Sequence, residues 1–183
     1  MSAEKPVSLL VLGLGNVLCG DDGLGAVAVH LVERRYRAPQ GVLVLDGGTL
    51  GLSLLPQLEQ AREAILVDAV SAQGPPGALV RLEGDDVGPA VAARLSVHQV
   101  GVADLLDAAR WRDCYPSRLI LLGLVPQSLE LGLRRSLPVE AALPELVERI
   151  VAEARELGHV FVPRTHDETL ARGPDALAHV YGL

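Results

Sequence analysis

The sequence predicts a single-domain, layered α/β fold: a twisted mixed sheet of about five strands with helices on both faces. Short, continuous apolar runs, typical of strands buried on both faces, alternate with stretches of helical periodicity. The chain has 183 residues, the length of one compact domain. Hydrophobic residues make up 49% of it and charged residues 21%, as expected for a folded core with a solvated surface.

The first elements alternate between strand and helix. Ser8–Gly13 is an apolar run that ends in glycine and predicts a buried strand. Apolar residues then recur at helical spacing over Leu24–Val32 and predict the first helix. Val42–Leu45 predicts a second strand. Leu52–Glu63 predicts a second helix, in which Pro56 marks a kink or a restart.

The middle of the chain predicts a reversal of strand direction. Ala64–Val67 is the third predicted strand. The segment Ser71–Gly77, SAQGPPG, has the composition of a turn and is too short for a crossover helix. Ala78–Leu82 is therefore predicted to run antiparallel to its predecessor, which makes the sheet mixed.

The second half continues the alternation. It predicts a helix over Val100–Trp111, a buried strand over Arg118–Val125 and a long amphipathic helix over Val139–Leu157. The periodicity then fades, and proline and glycine interrupt the chain. We predict one domain over residues 1–159 and an irregular C-terminal tail over 160–183.

Composition excludes several function classes. Aromatic residues are only 3% of the chain and the net charge is −7, which disfavours nucleic-acid binding. No apolar stretch approaches the ~20 residues of a membrane-spanning helix, so we expect no membrane insertion. The first residues lack the pattern of a secretory signal, and two cysteines form neither a disulfide framework nor a CxxC pair. We expect a cytoplasmic protein.

Polar residues collect where the predicted strands end. Asp21 and Asp22 follow the first strand, Asp46 closes the second, Asp68 closes the third, and His98 lies just before the third helix. Ligands of open α/β sheets bind beyond the carboxyl ends of the strands. Carboxylates with an imidazole suit a divalent transition metal and leave positions open for substrate or water. The pattern indicates metal-assisted chemistry.

Each of these residues also has a structural interpretation. Asp21 or Asp22 would serve equally well as a cap of the first helix. Asp68 at a strand end would serve to bind loop amides, and a single histidine such as His98 is more often structural than a ligand. The combination of all of them favours a site.

The glycine-rich loop does not match nucleotide-binding motifs. A GxGxxG fingerprint beginning at Gly13 requires a third glycine where this chain has Leu18, and no lysine followed by serine or threonine completes a P-loop. A nucleotide-binding enzyme is therefore disfavoured. The chain also lacks HExxH and GxSxG, and nothing in the sequence brings Cys19 and His98 together as nucleophile and base.

Five segments of the chain form a recognisable series. They are Val11–Gly25 (VLGLGNVLCGDDGLG), Asp46–Thr49 (DGGT), Val67–Ala69 (VDA), Ser96–Gly101 (SVHQVG) and Gly123–Pro126 (GLVP) with Ser128, Leu129 and Glu130. In their order and spacing, these segments resemble those of the NiFe-hydrogenase maturation protease family. The resemblance covers roughly residues 8–158.

The resemblance implies a sheet of about five strands between helices and a set of site residues. Asp22, Asp68 and His98 would bind nickel, and Asp46 belongs to the same crevice. Catalytic roles are implied for Asp22, Asp46 and Asp68, one of which would act as general base if it is not fully occupied as a ligand. Relatives commonly have glutamate at the position of Asp22, so the carboxylate here has a shorter reach.

The implied reaction is removal of the C-terminal extension of a NiFe-hydrogenase large-subunit precursor after its metal centre has been assembled. The nickel would come from the precursor, and zinc or cadmium would be acceptable in vitro. The metal would polarise the scissile carbonyl or activate a water. The resemblance further implies a monomer. The alternative is a non-catalytic chaperone or metal-site-checking protein that binds the same precursor.

Overall fold

The structure, a computed structural model, describes residues 6–92, 97–165 and 168, without the side chains of 97–100. The strands are β1 (Val7–Leu14), β2 (Tyr36–Arg37), β3 (Val42–Gly48), β4 (Ala61–Ala69), β5 (Leu79–Glu83), β6 (Arg118–Leu124) and β7 (Val162–Pro163). The α-helices are α1 (Leu24–Arg35), α2 (Leu55–Gln60), α3 (Val87–Ala92), α4 (Val97–Trp111) and α5 (Leu137–Glu156).

Five of the strands form one mixed sheet in the order β3-β1-β4-β6-β5. The first four are parallel to one another, and β5 pairs antiparallel with β6. The predicted five-stranded mixed sheet, with a reversed strand after the SAQGPPG turn, is confirmed. The carboxyl ends of β3, β1, β4 and β6 consequently lie along one edge of the sheet.

Helices cover both faces of the sheet, as predicted. Alternate residues of a strand point to opposite faces. In β1, Leu9 and Val11 pack in the core that contains α1 and α5, whereas Leu10 and Leu12 pack in the core with α2, α3 and α4. The run that the sequence identifies as apolar is therefore buried on both sides.

The second predicted helix, Leu52–Glu63, is wrong at both ends. It begins as a 3₁₀ turn at Gly51–Leu54, and α2 follows with Pro56 in its first turn, so the predicted restart is confirmed. Its predicted last turn belongs to β4, where Ala61 pairs with Val7 of β1. Hydrogen bonding to a neighbouring strand, which the local pattern does not contain, ends this helix early.

Three short elements have no counterpart in the sequence prediction. Strands β2 and β7 have two residues each and α3 has six. Elements of this length contain too few residues to show a period. The main order of strands and helices is otherwise as predicted.

The first residues of the predicted tail pack against the domain. Phe161 is 3% exposed and lies in the core with α1 and α5. Strand β7 then pairs antiparallel with β2, and the Arg164 amide donates to the Arg35 carbonyl at 2.8 Å. Residues 166–183, apart from Glu168, lie outside the described part, so the irregular tail stays a prediction there.

An ion pair between a buried glutamate and a partly exposed arginine joins α5 to the edge strand β5. Glu153 is fully buried, and Arg81 donates to both of its carboxylate oxygens, at 2.9 Å from Nε and 2.7 Å from Nη2. Arg149 adds a hydrogen bond at 2.8 Å. Hydrogen bonds from Arg81 lower the pKa of Glu153 below its ordinary value, against the effect of burial. Loss of Arg81 would leave the buried Glu153 carboxylate with Arg149 as its remaining charged partner among the described residues.

None of the helices in the described ranges has both the length and the apolar character needed to cross a bilayer.

Candidate active site

The start of α1 lies directly against the carboxyl ends of β1 and β4. A Cβ added to Gly25 would lie 2.1 Å from the Val67 carbonyl oxygen and 2.4 Å from that of Leu14. Only glycine permits this approach. It brings the 3₁₀ turn Gly20–Gly23, which carries the acidic pair, over the end of β4, where Asp68 lies.

Asp22 and Asp68 are both 1% exposed, and backbone amides orient both carboxylates. Asp22 Oδ2 accepts a hydrogen bond from the Asn16 amide at 2.8 Å. Asp68 Oδ1 accepts one from the Ala69 amide at 2.7 Å. A carboxylate has about four lone-pair positions, so it can accept an orienting amide bond and also contact a cation. The two carboxylates fit the oxygen component of a divalent metal site.

Asp46 lies on the other side of β1 and is exposed. Gly13 of β1 pairs with Asp46 on one side and with Val67 on the other. Two strand spacings, roughly 10 Å, therefore separate Asp46 from the end of β4. Asp46 Oδ1 accepts a hydrogen bond from the Gly48 amide at 2.9 Å, and the Gly48 carbonyl accepts one from the Gly15 amide at 3.0 Å. These bonds join the DGGT turn to the loop after β1.

His98 lies in the first turn of α4, which begins at Val97. The expectation that it lies before the helix is wrong, because the apolar periodicity that predicted the helix begins only at Val100. A contact between two glycines places this turn near the site: a Cβ added to Gly51 or to Gly101 would lie 3.0 Å from the Cα of the other. The backbone of His98 is thus near the DGGT turn, and its side chain is outside the described atoms.

Within the described residues, no three His, Cys, Asp and Glu side chains are grouped closely enough to hold a metal ion. The side chain of His98 is not among the described atoms. The ligand set Asp22, Asp68 and His98 therefore stays a prediction, as do the catalytic roles of Asp22, Asp46 and Asp68. The two cysteines, Cys19 and Cys114, form no disulfide and are both half-buried.

Asp21 has a structural role that sequence reasoning missed. The cap of α1 is Gly23, without a side-chain hydrogen bond, so the interpretation of Asp21 or Asp22 as a helix cap is wrong. The carboxylate of Asp21 instead accepts hydrogen bonds from the loop after β6: the Gln127 amide at 2.8 Å and, at the other end of the loop, the Ser136 amide at 2.6 Å. No local signal predicts partners more than 100 residues away.

Fold and site together define a layered α/β protein with carboxylates gathered at the carboxyl edge of its sheet. A sequence model described as hydrogenase maturation protease matches residues 27–153. The hydrogenase 2 maturation protease of Escherichia coli (strain K12) is 38% identical over 157 residues, which cover 85% of this chain and 96% of that protein. The chain belongs to the hydrogenase maturation protease family, and it is a peptidase.

Solved structures agree with this assignment. The hydrogenase maturating endopeptidase HybD from Escherichia coli superposes with a TM-score of 0.82 at 37% identity, covering 86% of this chain and 98% of that one. The NiFe hydrogenase maturation protease HybD from Thermococcus kodakarensis superposes with a TM-score of 0.67 at 28% identity, covering 81% of this chain and 99% of that one.

Proposed function

We propose that this endopeptidase removes the C-terminal extension of a NiFe-hydrogenase large-subunit precursor, and that cleavage depends on nickel already bound in the precursor. Membership of the maturation protease family supports the hydrogenase substrate. The name of the Thermococcus kodakarensis relative specifies a NiFe hydrogenase. The family assignment favours this proposal over a non-catalytic chaperone for the same precursor.

One observation carries the proposed dependence on nickel: two carboxylates, those of Asp22 and Asp68, are buried at the same edge of the sheet. Burying a carboxylate is costly unless hydrogen bonds or an opposite charge compensate it. A divalent cation presented by the substrate would offset that cost during each encounter. With the imidazole of His98, these side chains form the mixed oxygen and nitrogen set that divalent transition metals accept.

In the proposed reaction, the metal and the candidate side chains have separate roles. Nickel in the precursor supplies Lewis acidity near the scissile bond. Asp22, Asp68 and His98 hold that part of the substrate in the crevice. Asp46 acts as the general base, because its carboxylate is exposed to solvent and is not required as a ligand in this set.

The test is incubation of the purified protein with nickel-loaded and with nickel-free precursor, followed by mass measurement of the C-terminus. Cleavage of the loaded precursor alone is the expected result. Equal cleavage of both would contradict the nickel requirement. Cleavage of neither, with a cognate precursor bound, would support the chaperone alternative.

Variants test the assigned residues in the same assay. Asp68→Asn and Asp46→Asn should abolish processing and lower the melting temperature by no more than a few degrees, because an asparagine oxygen can keep the amide bond that each carboxylate accepts through Oδ1. His98→Ala should abolish processing as well. Asp107→Asn is the control, since Asp107 is exposed on the surface of α4. Normal processing by Asp68→Asn or by His98→Ala would refute the ligand set.

A further inference from the structure

Exposed apolar side chains are concentrated at the edge of the sheet that carries the candidate site. In the described part of the chain, nine large apolar side chains are at least 49% exposed. Three of them, Trp111, Val160 and Val162, lie at the far end of α4 and at or next to β7. The other six lie beyond the carboxyl ends of β1, β3 and β6, and we call them the leucine rim: Leu18, Leu50, Leu52, Leu131, Leu133 and Leu137.

The leucine rim has members on both sides of the buried carboxylates. One part, which includes Leu50, follows β3, and another part, which includes Leu131, follows β6. Three strand spacings, roughly 14 Å, separate β3 from β6. The two strands between them, β1 and β4, lead to Asp22 and Asp68. An extended peptide covers only a line across a protein, whereas apolar side chains on two sides of a central site fit the broader surface of a folded partner.

The loops that carry the leucine rim expose few charges. In the segments 15–23, 49–54, 70–78 and 125–137, which the structure describes completely, Glu130 and Arg134 are the only exposed charged residues, and their charges are opposite. The chain as a whole has a net charge of −7, so its excess negative charge lies elsewhere. Depletion of charge around exposed apolar side chains is typical of the centre of a protein–protein interface.

The loop after β6 is compact and presents side chains rather than an open backbone edge. It curls around Gly20, where an added Cβ would lie 3.4 Å from the carbonyl oxygens of Ser128 and Glu130. The carboxylate of Asp21 accepts hydrogen bonds from the Ser128 amide at 3.1 Å and from the Ser136 hydroxyl at 2.8 Å. The rim leucines of this loop are thus held in position next to Asp22, and a prearranged surface loses less conformational entropy on binding.

We propose that the leucine rim docks the folded, apolar surface that surrounds the metal centre of the precursor. This inference rests on the proposed function. A metal held in a folded precursor contacts Asp22 and Asp68 only if the surface around the metal also contacts the surface around these carboxylates. The position of the rim on both sides of the carboxylates therefore identifies its occupant, and the C-terminal extension is not the part of the precursor that the rim recognises.

The test measures the Kd of nickel-loaded precursor for immobilised protein with serine in place of rim leucines. A double variant, Leu131→Ser with Leu137→Ser, removes side chains that are 87% and 85% exposed, and Leu50→Ser removes one on the other side of the carboxylates. The control is Trp111→Ser, because Trp111 is 91% exposed about 20 Å from the first turn of α4.

We expect the double variant to raise Kd about tenfold or more and Leu50→Ser to raise it about fivefold, because each loses apolar area that binding would remove from water. The control should bind like the wild type, and circular dichroism should show a Tm within a few degrees of the wild type for every variant. An unchanged Kd for either the double variant or Leu50→Ser would overturn the proposal, because docking would then not involve both sides of the rim.

Two further measurements separate this proposal from its alternatives. Binding does not require cleavage, so a weaker complex with the rim variants would support the docking surface even if the proposed nickel-dependent reaction failed. A synthetic peptide with the sequence of the C-terminal extension should not displace the precursor, and displacement would assign the rim to the extension and refute the proposal. Self-association of the chain that the double variant abolishes, with precursor binding unchanged, would instead assign the rim to a second copy.

Discussion

Replacing Asp21 with asparagine should destabilise the protein far more than the same replacement at its neighbour Asp22. Both carboxylates are 1% exposed and adjacent in the chain. Asp21, however, accepts hydrogen bonds from Gln127, Ser128 and Ser136, and these connect the loop after β1 to the loop after β6. The difference in free energy of unfolding between the two variants measures how much the connection between these two loops depends on Asp21.

The size of the destabilisation by Asp21→Asn follows from the positions of the hydrogen-bond donors around Asp21. Three of them contact Oδ2 of Asp21, and the Ser136 amide contacts Oδ1 at 2.6 Å. An asparagine that keeps the three Oδ2 contacts turns its NH₂ group toward the Ser136 amide. Loss of this charge-assisted bond and weakening of the other three should cost about 2–4 kcal/mol. For a chain of this size that lowers Tm by about 4–16 °C.

Asp22→Asn provides the comparison. Its carboxylate accepts the Asn16 amide through one oxygen, which the asparagine carbonyl can replace. The expected cost is about 1 kcal/mol, a change in Tm of about 2–4 °C. Under the proposed function this variant processes no precursor, whereas Asp21→Asn still processes it when activity is measured well below the melting temperature of that variant.

Thermal unfolding followed by circular dichroism, together with the mass-spectrometric processing assay, distinguishes the two residues. If Asp21→Asn melted like the wild type and did not process, Asp21 would act on the substrate and the structural role argued for it would be refuted. Normal processing by Asp22→Asn at the same time would transfer the ligand role from Asp22 to Asp21.

Three further predictions concern the supports of the fold. Glu153→Gln should lower the free energy of unfolding by about 1–3 kcal/mol at neutral pH. The folded-state pKa of Glu153 is below its ordinary 4.5, so the stabilisation by its carboxylate is present above pH 4.5 and is lost as the pH falls through the folded-state pKa. The difference in Tm between wild type and Glu153→Gln should therefore shrink in acid. Gly101→Ala should reduce processing more than stability, because it displaces the start of α4 by a few tenths of an ångström from Gly51 while favouring the helix by about 1 kcal/mol. A chain ending at Gly158 should lose about 3–5 kcal/mol with Phe161.

Matched controls accompany these measurements. A Cβ on Gly88 of α3 meets side-chain atoms only at 3.5 Å or more, so Gly88→Ala should affect neither processing nor folding. A chain ending at Glu168 keeps Phe161, β7 and the Arg37–Glu168 ion pair, so it should melt near the wild type. If the Tm of Glu153→Gln stayed below that of the wild type by the same amount down to about pH 3, the lowered pKa of Glu153 would be contradicted. A wild-type Tm for the chain ending at Gly158 would show that Phe161 contributes little to stability.

Much of the fold could be predicted because its signals are local. The apolar run of β1 and the SAQGPPG turn before β5 are contiguous segments, and each constrains the nearby backbone without reference to the rest of the chain. Asp46 and Asp68 could be placed at the edge of the sheet for the same reason, since a residue that ends a parallel strand lies at its carboxyl end. The end of α2 could not be predicted from local signals, because the helix ends where Ala61 pairs with β1.

By itself the sequence therefore determined the layered α/β class, the mixed sheet and the family resemblance, all of which rest on short segments read in order. Only the tertiary structure decided that Asp21 holds a loop whose partners are 106 to 115 residues away, and that Gly51 and Gly101 bring α4 to the site. Periodicity and turn composition describe a chain relative to its immediate neighbours. A hydrogen bond or a glycine contact between distant segments exists only after the sheet has brought those segments together.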